Sequence, residues 1–172
     1  MIEKIRLRYL EEKDAEKMYE WMTDLDIVKF FRFDSSNVSV ASCKEYIVNV
    51  ANQKNSYHYA IVNEADEYLG TISLKNVDFN KKEAEYAIST RKCVHGTGIA
   101  KEATEIILKK AFLELNLDRV YLNVLTDNLR ANAFYRKVGF IFERTEDNAL
   151  EIRGIKKSLN WYSISRLEKE YE

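Results

Sequence analysis

Arg91-Lys-Cys-Val-His-Gly-Thr-Gly-Ile-Ala-Lys-Glu-Ala103 is the stretch from which the fold is read. An alternating apolar segment, Ala84-Glu-Tyr-Ala-Ile-Ser89, leads into it with the period of a strand. A helical pattern, residues 98 to about 115, leads out of it, with Ala100, Ala103, Ile107, Ala111 and Leu115 on one stripe and Ile106, Leu108 and Phe112 widening it. Between strand and helix stand Gly96 and Gly98. Glycine lets a backbone approach a ligand closely, and the first N–H groups of a helix have no intrahelical acceptor. Strand, glycine turn and helix start therefore make an anion cradle, favoured further by the positive end of the helix dipole. The same residues also suit an ordinary strand-to-helix connection.

Composition narrows the classes of function. The 172 residues fit one domain, expected to span residues 1–172, and 46% hydrophobic content is that of a globular protein. Lys and Arg number 27 against 28 Asp and Glu, a net charge of -1, which argues against an unspecific nucleic-acid or membrane binder. Cys43 and Cys93 are too few for a disulfide framework or zinc site, and His58 and His95 are the only histidines, so no metal is expected. The N-terminus lacks an apolar leader segment, and no apolar run reaches the roughly 18 residues of a membrane span. The expected location is the cytoplasm.

Outward from the glycine stretch, residues 2–10, 57–62, 68–74, 83–90, 119–125, 140–142 and 159–164 read as strands. Asp14 and Ser39 are N-cap candidates for two early helices, the first presenting Met18, Trp21 and Met22, the second Tyr46, Ile47 and Val50. Residues 24–31 read as a turn or short helix, and Phe30, Phe31 and Phe33 as core rather than pocket lining. Asn116 ends the long helix; Asp127 or Asn128 starts a further one that Gly139 closes. Residues 147–157 carry no clear period, and the charged tail 166–172 is read as helical. Three strands in succession mid-chain, with no helices between them, exclude a doubly wound sheet. They point to an α/β fold with a mixed, mostly antiparallel sheet of six to seven strands and helices on both faces.

A second motif, Asn128-Leu-Arg-Ala-Asn-Ala-Phe-Tyr-Arg-Lys-Val-Gly-Phe140, follows the first after one strand. Together with His95-Gly-Thr-Gly-Ile-Ala100 it resembles the GNAT superfamily of acetyl-CoA-dependent N-acetyltransferases over nearly the whole chain. His95 stands where the family usually has Gln or Arg. The loop acts through its backbone, so His95 is read as a partly exposed loop residue rather than a catalytic one.

The resemblance implies a GNAT-like fold and acetyl transfer to a primary amine by direct attack, with acetyl-CoA as cosubstrate. It implies cofactor contacts at His95, Gly96, Thr97, Gly98, Ile99 and Ala100, and backbone pairing of Ile88, Ser89 and Thr90 with the pantetheine arm. Lys101 and Arg130 are candidates for the phosphates. Tyr135 matches the family's general acid, and a phenol stays protonated at neutral pH. Asn128 is a helix-start asparagine that binds water or cofactor, or is a plain cap. Glu85 is the general-base candidate, with Glu83 on the same strand face. The segment Leu69-Gly-Thr-Ile-Ser-Leu-Lys-Asn76 is similar to the branch acting on amino-sugar nucleotides, so a small amine of that class is the first expectation. Ribosomal-protein N-termini and polyamines are the alternatives, and a silent acyl-CoA-binding module is a third class. A homodimer is common in the family and is implied by the resemblance alone.

Overall fold

The computed structural model describes residues 3–168. Residues 1–2, the second of which starts the expected first strand, and 169–172 of the expected helical tail lie outside the described residues; Arg166–Glu168 forms a 3-10 turn. The strands are β1 (Ile5–Tyr9), β2 (Tyr57–Asn63), β3 (Tyr68–Asp78), β4 (Glu83–Thr90), β5 (Arg119–Leu125), β6 (Ile141–Ile152) and β7 (Ile155–Ser165). They form one 7-stranded sheet in the order β1-β2-β3-β4-β5-β7-β6. Every neighbouring pair is antiparallel except β4 and β5. The mixed sheet follows from the chain order. Hairpin neighbours pair antiparallel, whereas β4 and β5 are joined by a helix, which allows a parallel pair.

The helices α1 (Ala15–Met22), α2 (Leu25–Val28), α3 (Val40–Ala51), α4 (Ile99–Lys109) and α5 (Leu129–Lys137) cover the two faces. Met18 and Trp21 of α1 and Cys43 and Ile47 of α3 pack on Ala60, Val62 and Tyr68. On the other face Ile107, Leu108 and Ala111, with Tyr135 of α5, pack on Ile61, Ile72, Tyr86, Leu122 and Tyr162. Phe31 and Phe33 join the first cluster, as expected for core aromatics. Phe30 instead packs on a third cluster of Leu125, Ile152 and Leu159.

Several boundaries differ from those read in the sequence. Asp14 sits at the start of α1 but does not cap it; its buried carboxylate accepts from Arg8 at 2.8 Å on each oxygen and from the Glu11 N–H at 2.9 Å. Ser39 does cap α3, in a reciprocal pair with Ser42. The helix begun at Gly98 is regular only to Lys109, then widens into a π turn, Lys110–Glu114, before Asn116 at φ 54 turns the chain. Residues 147–157 belong to a long β6–β7 hairpin turning through Arg153 (φ 50) and Gly154 (φ 77). Two successive positive φ angles suit the twist of a tight hairpin. β6 is an edge strand exposed from residue 141 to 148, so its charged side chains hide the period-2 pattern.

β3 approaches β4 closely at one residue. A Cβ on Gly70 would lie 2.6 Å from the Ser89 carbonyl oxygen and 2.9 Å from the Thr90 Cα. Backbone cannot move aside as a side-chain tip can. Gly70→Ala is expected to destabilise the protein by about 1–3 kcal/mol in urea denaturation. An unchanged midpoint would contradict the β3–β4 register at Thr90.

Candidate active site

The candidate site lies where β4 and β5 part. Their pairing covers only Glu83 with Arg119, Ala84 with Val120 and Glu85 with Tyr121. Beyond Glu85, β4 stays with β3 through Thr90, and beyond Tyr121, β5 stays with β7 through Leu125. The facing edges of Ile88, Ser89 and Thr90 and of β5 are thus not bonded to each other. A fork in a sheet leaves main-chain donors and acceptors free for an extended ligand.

The glycine loop closes the open end of the fork. Arg91 anchors its root: the buried guanidinium donates to Glu20 at 2.5 Å, to Glu67 at 2.7 Å and to the Tyr68 carbonyl at 3.2 Å. A short 3-10 turn, Lys92–Val94, leads to Gly96 at φ 79 and Gly98 at φ 86, both in the left-handed region that glycine tolerates. A Cβ at either would meet no heavy atom within 4 Å, so the space before the loop is open. Thr97 turns inward, its hydroxyl donating to Val94 O at 2.6 Å and accepting from the Ile99 N–H at 3.3 Å. Among the described residues no acceptor takes the N–H groups of Gly96, Gly98, Ala100 or Lys101. Four free donors at the positive end of α4 suit a diphosphate.

Among the described residues His95 has no hydrogen bond to a carboxylate or nucleophile. Its Nδ1 accepts from Arg130 Nη1 at 2.6 Å, tying the loop to the start of α5. Burial, and then the Arg130 charge, lower its pKa, which keeps the ring neutral and able to accept. Lys101 is exposed on the first turn of α4, and Arg130 is exposed on the first turn of α5.

On the α4–α5 face of the fork stands Tyr135. Its ring meets Tyr86 edge-on at 6.0 Å and packs on Phe140 and Tyr162 at 6.0 and 6.3 Å. Burial pushes its phenol up to about 12. The hydroxyl has no protein partner among the described residues, and the only fully buried side-chain N or O without one is Arg166 Nε. The Tyr135 oxygen therefore keeps contact with solvent while its ring is enclosed. Asn128 caps α5, its side chain accepting from the Ala131 N–H at 3.2 Å. Asn132, which sequence reasoning passed over, holds this region together. Its amide donates to Leu125 O and Asn128 O at 3.0 and 2.8 Å, and its carbonyl accepts from Tyr162 and Asn160 at 2.7 and 2.9 Å.

Glu83 and Glu85 share the opposite face, as strand alternation requires, but differ in their partners. Glu83 accepts from Arg119 at 2.9 Å, and Arg119 also binds Glu143 at 2.7 Å. Glu85 accepts only from neutral amides, Asn76 at 2.9 Å and Asn123 at 3.2 Å, with Lys75 Nζ farther off at 3.8 Å. A carboxylate bonded to amides, with Lys75 the cation nearest it at 3.8 Å, is less closely neutralised than Glu83 and has lone pairs to spare. Asn76 and Asn123 were not singled out in the sequence, because their importance depends on strand pairing. Tyr121 and Trp161 stack beside Asn123 at 6.2 Å, with Arg144 over Trp161 at 4.5 Å. No group of His, Cys, Asp and Glu able to hold a metal is found among the described residues, and none of their helices is long and apolar enough to cross a membrane.

A forked mixed sheet with a glycine loop capping one helix suits an acyl-CoA-type transferase. The chain belongs to the GNAT acetyltransferase family: the family model described as "Acetyltransferase (GNAT) domain" matches residues 4–141. It is an N-acetyltransferase that uses acetyl-CoA. A Bacillus subtilis (strain 168) protein named "Putative ribosomal N-acetyltransferase YdaF" is 29% identical over 99% of this chain and 96% of its own length. "Spermidine N(1)-acetyltransferase" of Escherichia coli (strain K12) is 25% identical over 81% of this chain and 74% of its own. The Vibrio cholerae spermidine N-acetyltransferase solved with CoA and spermine has a TM-score of 0.84 at 20% identity, covering 95% of this chain and 96% of that one. At that identity it shares the fold.

Proposed function

We infer that the chain acetylates a primary amine of a small molecule by direct attack in a ternary complex, within one domain. The observation that carries this is the β4–β5 fork, flanked by Glu85 on one face and Tyr135 on the other. Acetyl-CoA supplies the activated acyl group as a thioester. The free N–H groups of Gly96, Gly98, Ala100 and Lys101, with Thr97 and Ile99 shaping the turn, hold the diphosphate. His95 positions Arg130 beside the phosphates, and Lys101 adds a second charge there. The unpaired edge of Ile88, Ser89 and Thr90 holds the pantetheine arm.

The remaining steps belong to this chain's side chains. An ammonium has no lone pair, so Glu85 takes a proton from the acceptor, directly or through one water. Tyr135 holds a proton at its hydroxyl for the departing sulfur, and its raised pKa keeps that proton on at physiological pH. Asn128, the cap of α5, binds a water or the cofactor, as the resemblance implies.

The acceptor is a mono-amine rather than a polyamine. On the Glu85 face two carboxylates, Glu83 and Glu143, are ion-paired with Arg119, while Glu146 accepts from the neutral Trp161 indole at 3.0 Å. Arg119 and Arg144 offset the charges of Glu83 and Glu143, which a polycation would otherwise use. An amino-sugar nucleotide is the first choice, supported by the likeness of residues 69–76 to that branch. A ribosomal-protein N-terminus is the second reading, supported by the full-length similarity to YdaF. The test is CoA thiol release with a UDP-linked amino sugar, a peptide with a free N-terminus and spermidine. Turnover of the amino sugar alone supports the first choice, and turnover of the peptide alone the second. Spermidine as the preferred acceptor would refute the mono-amine reading. No turnover with any, alongside tight CoA binding, would make the chain a silent acyl-CoA-binding module.

A further inference from the structure

Asn76 occupies a place that a regular strand would not give it. Lys75 pairs with Glu85 and Asp78 with Glu83, so β3 advances by Asn76 and Val77 where β4 advances by Ala84 alone. This is a β-bulge, with Asn76 at φ 49 in the left-handed region. In an unbroken ladder Lys75 and Glu85 would share a face and Asn76 would point to the other. The extra residue changes that. Val77 takes the core-facing place in the α4–α5 cluster, 4% exposed, and Asn76 is turned onto the Glu85 side. There its amide reaches Glu85 Oε2 at 2.9 Å, while Asn123 from β5 reaches Oε1 at 3.2 Å. One donor comes from each strand flanking β4, at the last residue before the fork opens.

We propose that the Asn76–Val77 bulge is a positioning device for the reaction: Asn76, with Asn123, clamps the Glu85 carboxylate at the mouth of the fork. Each carboxylate oxygen gives one lone pair to an amide and keeps another for the acceptor's ammonium or a bridging water. The two amides fix the plane of the group as neutral donors, and the one cation beside it, Lys75, stands at 3.8 Å where Arg119 binds Glu83 directly at 2.9 Å. A left-handed non-glycine residue is strained, and the contact with Glu85 is what Asn76 provides there that glycine could not. This rests on the reading of Glu85 as the base.

Asn76→Gly separates the two. Glycine accepts φ 49 without strain, so the variant keeps the bulge and loses only the amide. With the acceptor that turns over among the UDP-linked amino sugar, the peptide and spermidine, kcat is expected to fall about tenfold while KM for acetyl-CoA is unchanged. In a Glu85→Gln background the same substitution should add no further loss. Unchanged kcat in Asn76→Gly, with Glu85→Gln impaired, would overturn the clamp and leave the base reading standing. An equal loss in the Glu85→Gln background would make Asn76 merely structural and also overturn it. Full activity in Glu85→Gln, or no turnover of any of the three amines, would remove the base reading and the clamp with it.

Discussion

Gly98→Trp is expected to abolish CoA binding in a chain that still folds. Gly98 adopts φ 86, and a Cβ there meets no heavy atom within 4 Å. The variant therefore carries left-handed strain of about 1–2 kcal/mol without a clash, which a fold of ordinary stability tolerates. The indole, however, grows into the open space that the N–H groups of Gly96, Gly98, Ala100 and Lys101 face. Lost diphosphate contacts and a blocked approach act together, and affinity should drop by about 100-fold or more. Titration calorimetry with CoA measures this, and circular dichroism verifies the fold. Unchanged affinity would show that the diphosphate does not bind at the loop.

Tyr135→Phe should lower kcat by about 100-fold while leaving acetyl-CoA affinity alone. The ring stays packed against Tyr86, Phe140 and Tyr162, and no protein partner of the hydroxyl is orphaned. The substitution thus removes a proton donor and little else. Steady-state kinetics with the acceptor in excess, beside a CoA titration, separates the two effects. Full turnover would remove Tyr135 as the acid. Reduced turnover with an equal loss of CoA affinity would make it a binding residue.

Much of this site is legible in one sequence because local chemistry states it. Gly96 and Gly98 between a strand and an apolar-striped helix predict the cradle, and both adopt the positive φ that justifies glycine. Ser39 and Asn128 are caps where caps were expected. The strands over Glu83–Thr90 and Arg119–Leu125 have the predicted bounds. What stayed hidden depends on contacts between distant segments. Asn76 becomes meaningful only when a bulge in β3 turns it towards β4. Asn132 reads as an ordinary helix residue until Tyr162 and Asn160 arrive from β7. Gly70 looks like any strand glycine until β4 presses on it. The middle of the β6–β7 hairpin, residues 147–157, escaped because an edge strand with exposed faces has no apolar alternation to read.

Asp14 shows the converse. It has the residue type and place of a cap, yet a half-buried guanidinium, Arg8, takes its carboxylate. A charge-assisted pair outcompetes a cap bond when both are within reach.

The central claim is that the β4–β5 fork brings an amine and acetyl-CoA together for direct transfer. Its most direct test is mass spectrometry of the amine in the thiol-release reaction, comparing wild type with Glu85→Gln. The account predicts one N-acetyl group formed for each CoA released by the wild type, and both products lost together in the variant. CoA released without an acetylated amine, or an acetylated amine formed equally by Glu85→Gln, would contradict it.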